Sequence, residues 1–158
     1  MAVLLKGEKI VLRSVDFSDV DTILLWENAN DEPLYGIYEE QYTREDVAQF
    51  VENQQRHSLA ENEQLRLVIC SHEGERLGCI DLSYYDGRKA FVSILIFDLH
   101  NRRKGFGSEA LQLLISYAKS LGMRSLYATI LPQNEQSLHL FERAGFEDLG
   151  TSLYRKKL

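Results

Sequence analysis

A basic, glycine-containing segment in the middle of the chain is the part of the sequence best suited to chemistry. An apolar run ending at Phe97 passes into a turn in which Arg102, Arg103 and Lys104 precede Gly105-Phe106-Gly107. Glycines let the backbone turn tightly, and the unpaired N–H groups that open the following helix attract anions. The segment therefore predicts a site for a bound pyrophosphate. A plain strand–helix turn with solvated basic side chains is the alternative.

The same glycines also satisfy the fingerprint of a dinucleotide-binding fold, Gly105-x-Gly107-x-x-Ala110. That fold needs a carboxylate about 20 residues further on, at the end of the next strand, to hold a ribose. Residues 124–130 contain no acidic residue, and too few residues remain to supply the parallel strands of that fold. The strands before the turn have short connections and must be antiparallel. We therefore reject the dinucleotide interpretation.

A second motif lies downstream of the basic turn. Asn134, Ser137, Phe141 and Gly145-Phe146 have the spacing Asn-x-x-Ser-x-x-x-Phe-x-x-x-Gly-Phe. This resembles the second motif of GNAT acetyltransferases, and Arg102-x-x-Gly-x-Gly is similar to their (Gln/Arg)-x-x-Gly-x-(Gly/Ala) pyrophosphate loop. The resemblance runs from about residue 65 to the end and is to the branch of spermidine and protein N-terminal acetyltransferases.

The resemblance implies a role for each part of the two motifs. In that family the strand before the loop is splayed from its neighbour, and its backbone binds the pantetheine arm and the thioester carbonyl. The matching residues here are Leu95, Ile96 and Phe97, and those expected to wrap the pyrophosphate are Arg102, Arg103, Lys104, Gly105, Phe106 and Gly107. Asn134 would bond the pantetheine amides, and it can cap a helix at the same time. The implied co-substrate is acetyl-CoA, and no metal is expected.

One position departs from the family pattern. Phe141 stands where the family often has a tyrosine that protonates the leaving thiolate, and loss of a proton donor costs roughly 10²–10⁴-fold in rate. Ser137 lies one turn earlier on the same helix face and is a candidate to relay a proton through water, whereas His139 is expected to point to solvent. A thiolate with a pKa of about 8.5 also leaves without much help. The group that protonates the leaving thiolate therefore stays unassigned.

The charge distribution indicates what kind of molecule accepts the acetyl group. Residues 16–63 hold thirteen acidic residues against two arginines, whereas residues 64–158 hold thirteen basic residues against ten acidic ones. This favours an anionic cofactor in the second half and a cationic substrate near the first, although acidic runs also simply solvate helices. Candidates to bind or deprotonate an amine are Tyr38, Glu39, Glu40 and Tyr85. Ordinary loop charges are the alternative for the two glutamates.

The sequence thus predicts direct transfer of acetyl from acetyl-CoA to a primary amine, without a covalent enzyme intermediate. The amine would belong to a small cationic, polyamine-like molecule or to a protein N-terminus. A non-catalytic module that senses acyl-CoA is the alternative, and the missing tyrosine is its only support.

Composition excludes several other classes of protein. A chain of 158 residues fits a single domain, and a net charge of −6 argues against nucleic acid as a partner. No apolar run approaches the ~20 residues that cross a membrane, and the first residues lack signal-peptide features. A turn at Glu73-Gly74 would set Cys70 opposite Leu77 rather than Cys79, so no disulfide is implied. We expect a cytoplasmic protein, and a homodimer is left open.

The elements that position these residues follow from periodicity and turn signals. Strands are expected at Lys9–Arg13, Leu65–Cys70, Leu77–Tyr85, Ala90–Phe97, Arg124–Leu131 and Thr151–Arg155. Helices are expected after the N-caps Ser18 and Thr43, over Glu109–Leu121 and over Gln136–Ala144. Short connections require antiparallel pairing first, and the later strand–helix–strand unit predicts a parallel crossover. The expected fold is α/β, a GNAT fold over residues 1–158 whose mixed central sheet is antiparallel in its first half and parallel in its second, flanked by helices.

Overall fold

The computed structural model describes residues 2–29 and 41–158, and in that part the chain forms one sheet of eight strands with helices on both faces. In chain order the strands are β1 (Leu4–Lys6), β2 (Ile10–Ser14), β3 (Leu65–Ser71), β4 (Arg76–Ser83), β5 (Lys89–Ile96), β6 (Ser125–Thr129), β7 (Glu147–Asp148) and β8 (Leu153–Lys157). The helices are α1 (Val20–Asn28), α2 (Arg44–Arg56), α3 (Leu59–Asn62), α4 (Phe106–Ser120) and α5 (Glu135–Arg143). None of these described helices is long and apolar enough to cross a bilayer.

The strands lie in the order β1-β2-β3-β4-β5-β6-β8-β7. Neighbours from β1 to β5 are antiparallel. Short connections require this for β1–β2, β3–β4 and β4–β5, whereas α1, α2 and α3 lie between β2 and β3. β5 and β6 are parallel because α4 carries the chain back between them. β8 runs antiparallel to β6. It is also antiparallel to β7, because a tight turn joins these two strands. The expected mixed α/β sheet is confirmed, with its parallel part confined to the pair β5–β6.

The β3–β4 hairpin has the register that the sequence predicts along residues 65–69. A β-bulge between Ile69 and Cys70 then shifts the pairing, so that Cys70 lies opposite Arg76 and the expected partner Leu77 was wrong by one residue. Both cysteines, Cys70 and Cys79, are buried and free.

Two apolar layers cover the two faces of the sheet. On one face α4 and α5 pack against the strands, with Leu111 and Leu114 fully buried. On the other face α1 and α2 bury Ile23 and Val51 against the side chain of Val68. Each such side chain stabilises the fold by roughly 1.5–3 kcal/mol relative to an exposed position.

The first helix begins differently from the sequence expectation. Asp16, not Ser18, is the cap: its carboxylate accepts a hydrogen bond from Ser18 N at 2.8 Å, and Asp19 accepts one from Asp16 N at 2.8 Å. The pair forms a reciprocal capping box around a short 3₁₀ turn, Phe17–Asp19, that leads into α1. The second predicted cap, Thr43, is confirmed at the start of α2.

Asp19 also ties α1 to the sheet. Its side chain is 1% exposed and accepts hydrogen bonds from Arg13 of β2 at 2.8 Å and from Arg76 of β4 at 2.6 Å. Burial alone would raise the pKa of Asp19, but these hydrogen bonds and one from Asp16 N hold it at about 2. The carboxylate is therefore ionised at neutral pH and joins one helix to two strands.

Candidate functional site

A gap opens between the two parallel strands at the centre of the sheet. β5 and β6 pair only from Lys89 opposite Ser125 to Phe91 opposite Tyr127. Beyond that point the described part of β6 no longer pairs with β5, while β5 continues to pair with β4 as far as Ile96. The last residues of β5 therefore lie along an open edge, where backbone groups that are not bonded to β4 or to Arg102 can bond a ligand.

The chain leaves β5 through a 3₁₀ turn, Leu99–Asn101, and a left-handed bend into α4. The helix begins at Phe106, three residues before the expected Glu109, because Gly105 adopts φ +85° and serves as its N-cap. Gly105 has no side chain to offer, and no described side chain caps the first turn of α4. The first N–H groups of α4 are thus left for a ligand, and the helix dipole favours an anion there.

A cavity of about 680 Å³ joins the open edge of β5 to the starts of α4 and α5. Its lining consists of residues 94–96 of β5, residues 101–103 and 105–108 of the connecting turn and α4, and Asn134, Gln136, Ser137, His139, Leu140 and Arg143 of α5. None of these lining residues is a carboxylate, whereas Arg102, Arg103 and Arg143 are cationic. The cavity is electrostatically suited to an elongated anionic ligand.

Most of the cofactor-binding residues predicted from the sequence lie on this cavity. They are Leu95, Ile96, Arg102, Arg103, Gly105, Phe106, Gly107 and Asn134. Phe97 and Lys104 do not line it. Phe97 packs against Trp26 of α1, with 6.0 Å between ring centroids, on the opposite face of the sheet. Lys104 is exposed, and its carbonyl accepts a hydrogen bond from Lys9.

Arg102 shapes the turn as well as adding charge. Its Nε donates to the carbonyl oxygen of Ile96 at 3.1 Å, so one side chain closes the segment between the strand end and the glycines. Arg103 lines the cavity with a φ of +62°, a left-handed conformation that is uncommon for a residue with a side chain. Backbone strain of this kind collects at ligand-binding loops.

The second motif forms the opposite wall of the cavity. Asn134 is the N-cap of α5, and its side-chain oxygen accepts a hydrogen bond from Ser137 N at 3.2 Å. Ser137 is half-buried and lines the cavity. His139, expected to face solvent, is exposed but also borders the cavity.

Phe141 is set back from the cavity and is 3% exposed. Its ring packs edge-on against Phe146, with 4.9 Å between centroids, while the preceding residue, Leu140, lines the cavity instead. The position that the family pattern gives to a tyrosine is here part of the hydrophobic core.

Of the four residues predicted to bind or deprotonate the amine, the structure describes one, Tyr85. Tyr38, Glu39 and Glu40 lie outside the described residues. Tyr85 is half-buried against the core layer that contains α4 and does not line the cavity, and its N–H donates to the carbonyl of Glu63 at 3.0 Å.

The N-terminal hairpin also contacts the glycine loop, which the sequence analysis missed. Lys9 Nζ donates to the carbonyl of Lys104 at 3.1 Å. Glu109 of α4 accepts hydrogen bonds from Lys9 N at 2.8 Å and from Ile10 N at 3.1 Å. These partners are about a hundred residues apart in sequence, so no local pattern marks them. They hold the start of α4 against the start of β2.

Cys79 is the cysteine nearest to this region in the sheet, since it lies opposite Leu95 in the β4–β5 register. Burial is the main cause that raises the pKa of its thiol to about 12. A thiol in that state is not a nucleophile at neutral pH, because the thiolate is the reactive form.

Comparison with known proteins agrees with this geometry. Residues 9–147 match the family described as Acetyltransferase (GNAT) domain. YwnH of Bacillus subtilis, a protein named for phosphinothricin acetyltransferase activity, is 40% identical over 88 residues, which is 52% of this chain and 53% of YwnH. The chain spans 29% and 53% of the length of two curated relatives that it matches.

Solved structures share the fold. A spermidine N-acetyltransferase from Vibrio cholerae, in complex with CoA and spermine, superposes with a TM-score of 0.76 at 19% identity, covering 96% of this chain and 94% of that one. RimL, a ribosomal L7/L12 alpha-N-protein acetyltransferase in complex with CoA, gives 0.79 at 17% identity, covering 99% and 98%. At these identities the likeness establishes the fold. Since the family match extends over most of the chain, this chain belongs to the GNAT acetyltransferase domain family.

Proposed function

We propose that this chain transfers an acetyl group from acetyl-CoA to a primary amine. The observation that carries the proposal is the cavity of about 680 Å³. Its lining, over the residues that the structure describes, combines an open strand edge, an uncapped helix start and arginines without a carboxylate. Acetyl-CoA is elongated and anionic, with phosphates at one end and amides and a thioester toward the other. The lining offers a suitable partner to each part.

Different elements would hold different parts of the co-substrate. The N–H groups at the start of α4 and the guanidinium of Arg103 suit the pyrophosphate, because both present positive charge to the cavity. The backbone at Leu95 and Ile96 suits the pantetheine arm and the thioester carbonyl, since both residues line the cavity beyond the last β5–β6 pair. Asn134 uses its side-chain oxygen as a helix cap, which leaves its amide N–H₂ as the donor for a pantetheine carbonyl.

When bound, acetyl-CoA supplies an activated acetyl group as a thioester. The amine nitrogen attacks the carbonyl carbon, the C–S bond breaks and the departing sulfur takes a proton. An alkyl ammonium group with a pKa of about 10 must first lose a proton to become the nucleophile. Direct attack is supported by Cys79, whose buried thiol with a raised pKa is unsuited to carry the acetyl group first.

Ser137 remains our candidate to pass a proton to the leaving sulfur through water. It lines the cavity on α5, whereas Phe141 lies in the core behind it. A serine hydroxyl both donates and accepts, so it can relay a proton without changing its own charge. His139 borders the same cavity and becomes a second candidate on the same observation.

For the acceptor we propose a polyamine-like cation, with a protein N-terminus as the second candidate. The acidic balance of residues 16–63 supports a cationic substrate. Structures sharing the fold include enzymes named for spermidine and for ribosomal-protein N-terminal acetylation. Tyr38, Glu39 and Glu40 are proposed to contact the amine, together with Tyr85.

A panel of amines tests the proposal. The purified chain is mixed with acetyl-CoA and with spermidine, an N-terminal peptide, an amino sugar or an amino acid, and the release of free thiol is followed. We expect turnover with at least one amine and the fastest turnover with spermidine. Tight binding of acetyl-CoA without turnover on any amine would instead favour an acyl-CoA-sensing module. Absence of both binding and turnover would refute both functions.

The acceptor assignment has its own test in the double substitution Glu39→Gln, Glu40→Gln. If these carboxylates pair with ammonium groups, KM for spermidine should rise several-fold with kcat nearly constant, because they contribute uniform binding. The salt dependence of KM should flatten, since exposed ion pairs are screened by salt. The affinity for acetyl-CoA should not change. An unchanged KM for every active amine would remove the polyamine assignment.

A further inference from the structure

Asn101 is a buried polar residue in the wall of the cavity that no motif singles out. It is the last residue of the 3₁₀ turn between β5 and the glycine loop, and it is 6% exposed. Its side-chain Nδ2 is buried and has no hydrogen-bond partner among the residues that the structure describes. Buried carboxamides are almost always hydrogen-bonded, so this donor is an exception that needs a cause.

The fold fixes the position of Asn101 without using its side chain. Its backbone N–H donates to the carbonyl of Asp98 at 3.0 Å, and the next N–H, of Arg102, donates to Leu99 at 3.1 Å. The hydrogen bond from Arg102 Nε to Ile96 O closes the whole segment around it. Three hydrogen bonds thus fix this turn, and they hold the Asn101 side chain, whose Nδ2 has no partner in the described part of the chain, between the strand edge and the glycine loop.

We propose that Asn101 is an acyl-CoA-binding residue that donates a hydrogen bond from its side-chain amide to an acceptor oxygen of the co-substrate; this rests on the proposed function. The acceptor is a pyrophosphate oxygen or the neighbouring pantetheine carbonyl, because Asn101 lies between the elements proposed for those two groups. Rotation about the Cβ–Cγ bond exchanges the amide N–H₂ and the oxygen within the same space, so the donor can be presented to the cavity without moving the backbone. The amide N–H₂ would then gain in the ligand the partner that it lacks among the described residues.

The substitution Asn101→Leu separates this role from a structural one. Leucine keeps nearly the same volume and removes the unpaired polar group, so the ligand-free protein should have an equal or higher Tm. The same change should raise the Kd for CoA by roughly tenfold, because one donor to the ligand is lost. A side chain that only supported the turn would give the reverse, a lower Tm with an unchanged Kd for CoA.

Asn62→Leu is the matched control. Asn62 Nδ2 donates to the carbonyl of Asn53 at 2.9 Å, and neither residue lines the cavity. This variant should lose thermal stability and keep the wild-type Kd for CoA. If both leucine variants lowered the affinity for CoA equally, the effect at Asn101 would be a general loss of structure and the proposal would fail.

Asn101→Asp is the second variant, and it tests the proposal even if the leucine variant does not fold. It keeps the shape of the side chain but turns a donor into a charged acceptor that repels phosphates, so CoA should bind more weakly than to wild type. Measurements with S-acetylpantetheine, which has no phosphates, locate the contact. If only the affinity for CoA falls, the contact is to the pyrophosphate. If the affinities for CoA and for S-acetylpantetheine both fall, the contact is to the pantetheine arm. Unchanged affinity for CoA in this folded variant would overturn the proposal. Failure of the wild-type chain to bind CoA would refute the proposed function instead.

Discussion

Gly78 of β4 lies directly against the carbonyl group of Leu95 in β5. A Cβ atom at Gly78 would stand 1.8 Å from the carbonyl oxygen of Leu95 and 2.8 Å from its carbonyl carbon. Both are backbone atoms, so a side chain at this position cannot be accommodated by a change of rotamer. Gly78 thus allows the close approach that sets the position of the open strand edge.

We therefore expect Gly78→Ala to act on both stability and co-substrate binding. The added methyl must push β5 away from β4, at a cost of about 1–3 kcal/mol in the free energy of unfolding. Because the displaced residues form the edge proposed for pantetheine, the Kd for CoA should rise as well. Urea denaturation and calorimetry measure the two effects. A variant with wild-type stability would contradict the close packing of Gly78.

The loop and the start of α5 were predictable because their residues act locally. Gly105 adopts a positive φ that glycine tolerates, and Asn134 caps its own helix, so each leaves a signal within a few positions of sequence. Strand alternation explains why the side chain of Phe97 does not line the cavity. Successive side chains point to opposite faces, so Phe97 packs beside α1 while Ile96 faces α4 and α5.

Contacts between distant segments could not be predicted in this way. The hydrogen bond from Lys9 to Lys104 and the approach of Gly78 to Leu95 depend on how elements meet in space. Periodicity indicates that a face is buried but does not identify the element that covers it. For the same reason the sequence motif placed Phe141 near the reaction, although the packing of α5 turns that ring into the core.

The two glycines of the loop should respond differently to alanine. Gly105 has φ +85°, and a Cβ there would lie 2.8 Å from Lys9 Nζ, so Gly105→Ala should cost about 1 kcal/mol or more. A Cβ at Gly107 would meet nothing nearer than Leu140 Cδ2 at 3.6 Å, and its φ is not positive. Gly107→Ala, within the helix, should leave stability unchanged or raise it by up to about 1 kcal/mol.

Affinity measurements extend the comparison of the two glycines. Gly107 lines the cavity, and a valine side chain there is larger than alanine. Gly107→Val should therefore block the proposed pyrophosphate site and strongly lower the affinity for CoA in a protein that still folds. Near-normal affinity of this variant, measured by calorimetry, would remove the assignment of the loop to pyrophosphate. Equal losses of stability in the two alanine variants would contradict a positive φ at Gly105 and a helical conformation at Gly107.

Because of the buried carboxylate of Asp19, we expect the free energy of unfolding to fall at low pH. Its pKa of about 2 in the folded protein lies below the value of about 4 for an unfolded chain, so its contribution is complete above pH 4 and is lost as the pH falls toward 2. Asp19→Asn should therefore cost about 3 kcal/mol at pH 7 through loss of a buried ion pair, with a difference from wild type that shrinks in acid. Urea denaturation from pH 7 down to pH 2.5 measures this.

Asp21→Asn is the control for that series. Asp21 is 79% exposed and pairs with Arg44 at 3.0 Å, so its removal should change stability by less than about 1 kcal/mol at any pH. If Asp19→Asn kept a constant difference from wild type between pH 7 and pH 2.5, the ionised carboxylate would not be the stabilising species.

Phe141→Tyr tests whether the missing phenol limits the reaction. Phe141 is 3% exposed and packs edge-on against Phe146, so a new hydroxyl would enter an apolar layer and should cost about 1–3 kcal/mol if it found no partner there. Because the residue does not line the cavity, kcat should rise little or not at all. Ser137→Ala, at the cavity wall, is the matched comparison and should lower kcat if that hydroxyl relays the proton. Thermal denaturation and thiol-release kinetics on both variants give the answer. A stable tyrosine variant with a large rise in kcat would mean that the new hydroxyl reaches the sulfur, and the assignment of the proton relay to Ser137 would then be wrong.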